Sequence, residues 1–447
     1  MAFAGVCVAI MQSLLLPIVA QLPQLLGTSA RNATWVTTAT LLAAAVSTPI
    51  TGRLGDLYGK RRLMMTCLVL MTAGSVLAAV TSSLVPMVVA RALQGMAIGA
   101  VPLGIGIMRD TLPVHRLPSA TGMMSSSVGV GGALCLPGAA FLAQHADWHA
   151  LFMATALLGA LSALLVMAVV PRTPADTDGR FDVPGALALS MALVCLLLAV
   201  VNGSAWGWTG AATLGLLLGA GILLAGFVAL ELHRADPLVD LRACVRRPVM
   251  LANIAAVGVG VAYYALSLAL PQLMQLPTGT GYGLGASLVL AGLVMAPLGL
   301  AMMAVSPLAA RLTARRGPRA TLLGGLALTG LGCVAGTVLL GHLWQIMIMV
   351  TVVGAGIGMA YSAMPGMIMN AVDAAETGAA NGLNTMLRFV GTSLSSAVVG
   401  TVLAQLTRTH DGIPVPTLPG FRSALLIGAA AIALVLAAAP FLAARKR

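Results

Sequence analysis

The chain has 447 residues, 59% hydrophobic and only 8% charged, where a soluble domain carries about 25% charged residues. With a mean hydropathy of +1.00, this excludes a water-soluble enzyme and predicts a polytopic helical membrane protein; continuous apolar runs, in place of alternating strands, exclude a transmembrane β-barrel. The net charge of +12 would suggest nucleic acid in a soluble protein, but here the basic residues lie in short loops between apolar runs, where they set topology.

Fourteen spans are expected, at about 3–26, 34–51, 63–83, 86–108, 119–143, 149–170, 185–202, 210–230, 249–275, 285–309, 321–340, 344–368, 383–407 and 422–443. Each approaches the roughly 20 apolar residues that one crossing needs. The first run begins almost at Met1 and is too long for a signal peptide. Of the 24 Lys and Arg residues, 19 fall on one side, in the loops 52–62, 109–118, 171–184, 231–247, 311–319 and 369–382 and in the tail Arg445-Lys446-Arg447. Arg31, Arg408 and Arg422 fall on the other side, and Arg91 and Arg388 inside spans. The basic side, with both termini, is therefore expected in the cytoplasm and the protein in the cytoplasmic membrane. The six cysteines show no paired spacing, so no disulfide, metal site or other cofactor is expected.

An internal repeat organises the chain. Pro49-x-x-Gly52-Arg53-Leu54, then Gly59-x-Arg61, returns as Pro307-x-x-Ala310-Arg311-Leu312, then Gly317-x-Arg319. Ala120-x-Gly122 with Gly131 returns as Ala380-x-Gly382 with Gly391. The echoes link span 2 to span 10 and span 5 to span 13. The expected architecture is all-α: a six-helix half at 1–170, a two-helix insertion with cytoplasmic linkers at 171–247, and a second six-helix half at 248–447. Two similar halves in one bilayer suggest a transporter whose halves rock about a site near the midplane. The two inserted spans read as peripheral.

The stretch Gly52–Arg62 is a knot of charge, expected as a loop in water. Gly52 and Gly59 let backbones approach closely. Asp110 ends span 4 on the same face. A pair between it and Lys60 or Arg61, made in one conformation and broken in another, would latch the basic side. The blander reading is a topology signal alone, since exposed ion pairs are worth only about 0–1 kcal/mol. The second copy has Ala314 where the first has Asp56, so the latch belongs to the first half.

Arg91 lies in span 4, where exposure to lipid is costly, so it should face protein or a water-filled cavity. Gly95 and Gly99 follow on its face. Arg388 in span 13 carries a weaker version of the argument, with Asn384 one turn earlier in reach of its guanidinium. With Arg91, Gln94 and Arg388, the candidate cavity lining is Gln12, Ser13, Tyr263, Tyr264, Gln272, Gln275, Tyr361 and Asn384. All twelve acidic residues lie in loops or at helix ends. The groups left to titrate are Asp56 and Asp110 on the basic side; Asp147 with His145 and His149 reads as an ordinary outer loop. With no carboxylate in the membrane, dications are disfavoured as substrates, and neutral or anionic amphiphiles suit Arg91 and Arg388 better.

Gly52-x-Leu54-x-Asp56-x-x-Gly59-Lys60-Arg61 resembles the signature between helices 2 and 3 of the major facilitator superfamily. Arg91-x-x-Gln94-Gly95-x-x-x-Gly99 resembles its helix 4 motif. With fourteen spans, Trp35 opening span 2, and Ala380-Asn381-Gly382-Leu383-Asn384-Thr385 before Arg388 and Gly391, the whole chain resembles the drug:proton antiporter branch. The resemblance implies the major facilitator fold, a gating role for the Gly52–Arg61 stretch, and proton coupling through Arg91. Two departures stand out. The span 5 motif keeps only Gly131, and Leu14 occupies the place of an acid often found in helix 1. The expected function is proton-driven export of small amphipathic drugs or metabolites by a monomer, with no nucleic acid partner. The alternative is a facilitator or importer of one metabolite, which the missing acid favours and the Arg91 motif opposes. An enzyme or receptor lacks support, because the sequence shows no His/Cys/Asp cluster and no phosphate loop.

Overall fold

The computed structural model describes residues 1–447 except 16, 17, 19, 20, 114, 115, 172–179, 235, 374, 375, 411, 412 and 443–447. Arg172 and the tail Arg445-Lys446-Arg447, counted in the charge balance, lie outside the described residues. In a bilayer every backbone polar group must be satisfied within the chain, which leaves helices as the spanning element here. The helices are α1 Ala2–Ser13, α2 Leu22–Leu25, α3 Ala30–Tyr58, α4 Lys60–Ala79, α5 Leu84–Met96, α6 Ala100–Thr111, α7 Leu117–His145, α8 His149–Val169, α9 Val183–Trp206 and α10 Ala211–His233. They continue as α11 Leu241–Cys244, α12 Arg247–Gln275, α13 Leu288–Ala304, α14 Ser306–Arg316, α15 Pro318–Gly336, α16 Leu343–Met369, α17 Thr377–Gln405 and α18 Leu418–Ala438. Side-chain oxygens cap several of them: Ser29 accepts from the Asn32 amide, Asp182 from Gly185, Ser287 from Leu290 and Thr417 from Gly420.

Among the described residues, 12 helical segments are long and apolar enough to cross a membrane. One of them joins α5 and α6 through a 3-10 turn at Ala97–Gly99, and another joins α13 and α14. Two further expected spans correspond to α1, an apolar helix of 12 residues, and α7, of 29 residues.

The charged stretch 52–62 is not a loop. Helix α3 runs through Asp56 to Tyr58, α4 starts at Lys60, and Gly59 alone makes the turn, at φ 96°. Its repeat partner Gly317, at φ 83°, separates α14 from α15 in the same way. Both torsions lie where a side chain is strained, so a single glycine can end one helix and start the next. The expected loop at 311–319 is likewise helical up to Arg316. The sequence reading also missed a small antiparallel pair, β1 Thr407–His410 with β2 Ile413–Pro416. Arg408 stacks over Tyr282 beside it, and the Tyr282 hydroxyl donates to the Pro416 carbonyl at 2.6 Å.

The echoed helices meet crosswise. Helix α3 (span 2) packs on α17 (span 13), and α7 (span 5) packs on α13 and α14 (span 10). Helices α12, α13, α15, α16, α17 and α18 share one apolar core. A second core joins α1, α3, α4 and α6 to residues of α9 and to Met386 and Phe389 of α17. Helix α10 packs mainly on α9, and its apolar stretch is only 17% buried. It is peripheral, as expected. Helix α9 is not: it packs on both α3 and α17.

Candidate transport site

A cavity of about 150 Å³ lies between the N-terminal and C-terminal helices, roughly ten times the minimum that one water needs. Helices α1, α3 and α5 supply Gln12, Ser13, Thr37, Thr40 and Arg91; α12, α16 and α17 supply Tyr263, Tyr264, Ser267, Tyr361, Arg388 and Thr392. The rest of the wall is mainly Val, Leu, Ile, Met and Phe. No carboxylate occurs among the described residues that line it.

Arg91 is 2% exposed. Its guanidinium donates to the carbonyls of Met11 at 3.3 Å and Val36 at 3.4 Å, and to Gln94 Oε1 at 2.6 Å. Gln94 Nε2 in turn donates to Ser75 Oγ at 2.8 Å, which Thr155 also reaches. Neutral groups from α1, α3 and α5 thus hold the charge in place, backed by Ser75 of α4 and Thr155 of α8. Gln94 does not line the cavity, contrary to expectation. It is fully buried behind Arg91 because its two amide ends are spent on Arg91 and Ser75. Gly95 and Gly99 face Thr40 and Thr51 of α3, where a side chain would collide.

Arg388 lies over the Tyr361 ring, 4.6 Å from its centroid. Asn384 does not bond it. Its amide donates to the Ala252 carbonyl at 3.0 Å and to Asn253 Oδ1 at 3.1 Å, which turns it towards α12. It lines a small second pocket with Arg388, Tyr361 and Asn381. Gln275 is a correction of a different kind: it is exposed at the end of α12, bonded to the Pro271 carbonyl, and outside the cavity wall. Gln272 is exposed as well.

The charged end is closed. Asp56 is fully buried, and its two oxygens accept from the amides of Gly378 at 3.2 Å and Ala379 at 3.0 Å, in the first turn of α17. The carboxylate thereby satisfies amides that have no partner within their own helix, at the positive end of the helix dipole. Lys60, 1% exposed, reaches Asp110 at 2.8 Å and Asp56 at 3.6 Å. Arg61 donates to the Met167 carbonyl at 2.7 Å and so ties α4 to α8. Arg109 crosses the same gap and donates to the carbonyls of Val372 and Asp373 and to the Thr377 hydroxyl. The sequence reading missed Arg109, which looks like one more topology charge until α17 is seen opposite. Gly52 meets the Gly378 carbonyl so closely that an added Cβ would collide with backbone.

At the other end, Asp147 is exposed and accepts from the His149 amide at 2.8 Å. Those hydrogen bonds from His149, the backbone one first, hold the Asp147 carboxyl below its ordinary range. His149 also faces Ser82 Oγ at 3.2 Å. The side chain of His145 lies outside the described residues.

A cavity walled by two helix sets, sealed at one end by contacts between them, has the layout of a membrane transporter. The family model described as Major Facilitator Superfamily matches residues 1–396 and 252–447. The chain belongs to the major facilitator superfamily. It is 30% identical over 396 residues to a probable actinorhodin transporter of Streptomyces coelicolor, covering 84% of this chain and 67% of that one. It is 28% identical over 399 residues to a tetracenomycin C resistance and export protein of Streptomyces glaucescens, covering 87% and 72%. It is 25% identical over 377 residues to multidrug resistance protein 3 of Bacillus subtilis, covering 82% and 72%. Among solved structures, the human organic anion transporter MFSD10 superposes with a TM-score of 0.67 at 15% identity, covering 99% of this chain and 97% of that one. That last likeness is one of fold.

Proposed function

We propose that this chain exports small amphipathic drugs or metabolites from the cytoplasm by proton antiport, through alternating access. The observation that carries the reading is the arginine-bearing cavity between the two helix sets, closed at the charged end. The relative named as a tetracenomycin C resistance and export protein supports the direction. Fourteen spans cross the cytoplasmic membrane, counting α1 with α2 and α7, with both termini inside. The halves are 1–170 and 248–447, with the two-helix insertion between them, and the unit is a monomer. The charged end then faces the cytoplasm, and Gly52, Asp56, Gly59, Lys60, Arg61 and Asp110 form the latch that closes it. Arg91 couples the proton, and Asp56 and Asp110 of the latch take part in that coupling. Arg91, Arg388, Gln12, Tyr263, Tyr264 and Tyr361 contact the substrate. Two cationic side chains, three phenols and no facing carboxylate favour neutral or anionic aromatic compounds over dications.

The test is accumulation of a fluorescent anionic drug in cells with and without the protein, repeated with a protonophore. Lower accumulation that the protonophore reverses is the expected result; export that ignores the protonophore removes the antiport. The acid-free cavity favours a second reading, a facilitator for one metabolite, which would equilibrate substrate without lowering it below the external level.

A further inference from the structure

The two inserted helices meet at the charged end through a pair of buried acids. Asp182 caps the start of α9, and Glu231 lies near the end of α10; each is 4% exposed. Asp182 Oδ1 accepts from the Gly185 amide at 3.1 Å. Glu231 Oε2 accepts from the Val239 amide at 3.3 Å. The other two oxygens, Asp182 Oδ2 and Glu231 Oε1, are buried and accept nothing. Both crowd the same face of Gly185, where an added Cβ would strike each of them. The two unpartnered oxygens are therefore neighbours, and both sit in the one space that this glycine leaves open.

Two arginines lie near the pair, and neither bonds its two free oxygens. Helix α3 contributes Arg53, which is 6% exposed and whose Nε makes no hydrogen bond. Arg53 acts on Glu231, but also on Asp56 and Glu376. Arg234, just beyond α10, is 45% exposed and lies 3.9 Å from Asp182 Oδ1, the oxygen already used as a cap. The linker and α11 bring Asp240 and Cys244, and α17 brings Glu376 at its start; these groups add negative charge or none. Two buried carboxylates whose free oxygens crowd one face of Gly185 repel each other when both are ionised. A protonated carboxyl has one O–H to donate, and a facing carboxylate oxygen can accept it.

We infer that Asp182 and Glu231 form a binding site for one proton, shared between Oδ2 and Oε1, at the foot of the inserted hairpin. One proton gives each empty oxygen a partner and leaves a single negative charge opposite Arg53. The site fastens α9 to α10 beside α3, and α9 also packs on α17. Losing the proton puts two like charges in contact where the hairpin meets both helix sets. The inference does not depend on what drives transport, and its test needs no substrate.

The test is difference infrared spectroscopy of the full chain in lipid nanodiscs during a pH titration, with every chain, the wild type included, carrying Glu376→Gln so that the raised carboxyl of Glu376 adds no band of its own. The wild type is expected to show the C=O stretch of a protonated carboxylic acid, lost as the pH rises. Glu231→Gln and Asp182→Asn should each lose that band down to ordinary carboxylate pH values, because the new amide donates to the remaining carboxylate and favours its charged form. Asp56→Asn should keep it. Gly185→Ala, which forces the oxygens apart, should move the titration to lower pH, and it serves if either amide variant fails to fold. The inference is overturned if the wild type lacks the band, or if the band survives in both amide variants or is unmoved in Gly185→Ala. It is also overturned if sodium at constant pH removes the band, since the pair is then a metal-cation site.

Discussion

Buried charge at single residues sorts into two kinds. Lys60 and Asp56 have charged partners, whereas Arg91 has only neutral ones. Removing one member of a buried charged set leaves the other uncompensated, at about 3–5 kcal/mol. Asp56→Asn keeps one acceptor for α17 but turns an N–H2 towards the second amide and takes a counter-charge from Lys60. We expect it to weaken closure of the charged end by about 1.5–3 kcal/mol, the worth of a charged hydrogen bond. That is a tenfold or greater shift towards the open form, read as a longer spin-label distance between α4 and α15. Arg91→Ala strands the Met11 carbonyl and Gln94 Oε1, while the Val36 carbonyl keeps the Thr40 hydroxyl, and should cost about 1–3 kcal/mol for each group left bare. Arg91→Lys cannot serve three acceptors in different directions and should recover little. Thermal unfolding in detergent measures both, and a melting temperature equal to that of the wild type would contradict this account. Sequence alone made Arg91 legible, because an intramembrane charge is conspicuous. The part played by Gln94 was not legible: an amide three residues on suits a cavity wall as well as a brace, and only Ser75 on another helix decides between them.

At the scale of elements, the close approaches are made where side chains are missing. Gly52 lies against the Gly378 carbonyl, and Gly382 against the Thr48 carbonyl, so α3 and α17 touch backbone to backbone. Gly52→Ala must push α17 outward, since a backbone atom cannot rotate aside as a flexible side chain would. The variant is expected to fold but to favour the open charged end, with cysteines placed on the buried face of α17 becoming reactive to a water-soluble thiol reagent. Unchanged reactivity would show that the contact does not hold the end shut. The glycine spacing was readable, and so were the repeat and the apolar runs. The stretch 52–62 misled because charge in a membrane protein usually marks a loop. Here Asp56 and Lys60 have partners on α6 and α17, so helix can continue to Tyr58 and resume after one residue. The β1–β2 hairpin was hidden for a related reason: Thr407, Arg408 and Thr409 are polar, and their ordering depends on Tyr282, far away in the chain.

Across the whole molecule, closure is one-sided. The crosswise contacts of α3 with α17 and of α7 with α13 and α14 are related by the repeat, yet only the first carries an acid, since Ala314 stands in the place of Asp56. The start of α17 therefore gathers charge: Asp56 from α3, Arg109 from α6, and Glu376 next to its first turn. Burial, and then Asp240 and Asp373, push the Glu376 carboxyl above the ordinary glutamate range. The closed form thus keeps a proton that a solvated glutamate would release. Its contribution to closure is full below the ordinary glutamate value and is lost as the pH rises through the raised one. Closure of the charged end should weaken as pH rises over that interval. Glu376→Gln, neutral at every pH, should hold the acid-side closed fraction throughout. Measuring the α4–α15 distance against pH in a Glu231→Gln background removes any part played by the Asp182 pair. An identical pH profile with and without Glu376 would place the pH response elsewhere. A flattened profile would tie acidity at the charged end to the shut state through the helix that also carries Arg388, so that cavity wall and proton-sensitive seal belong to one helix.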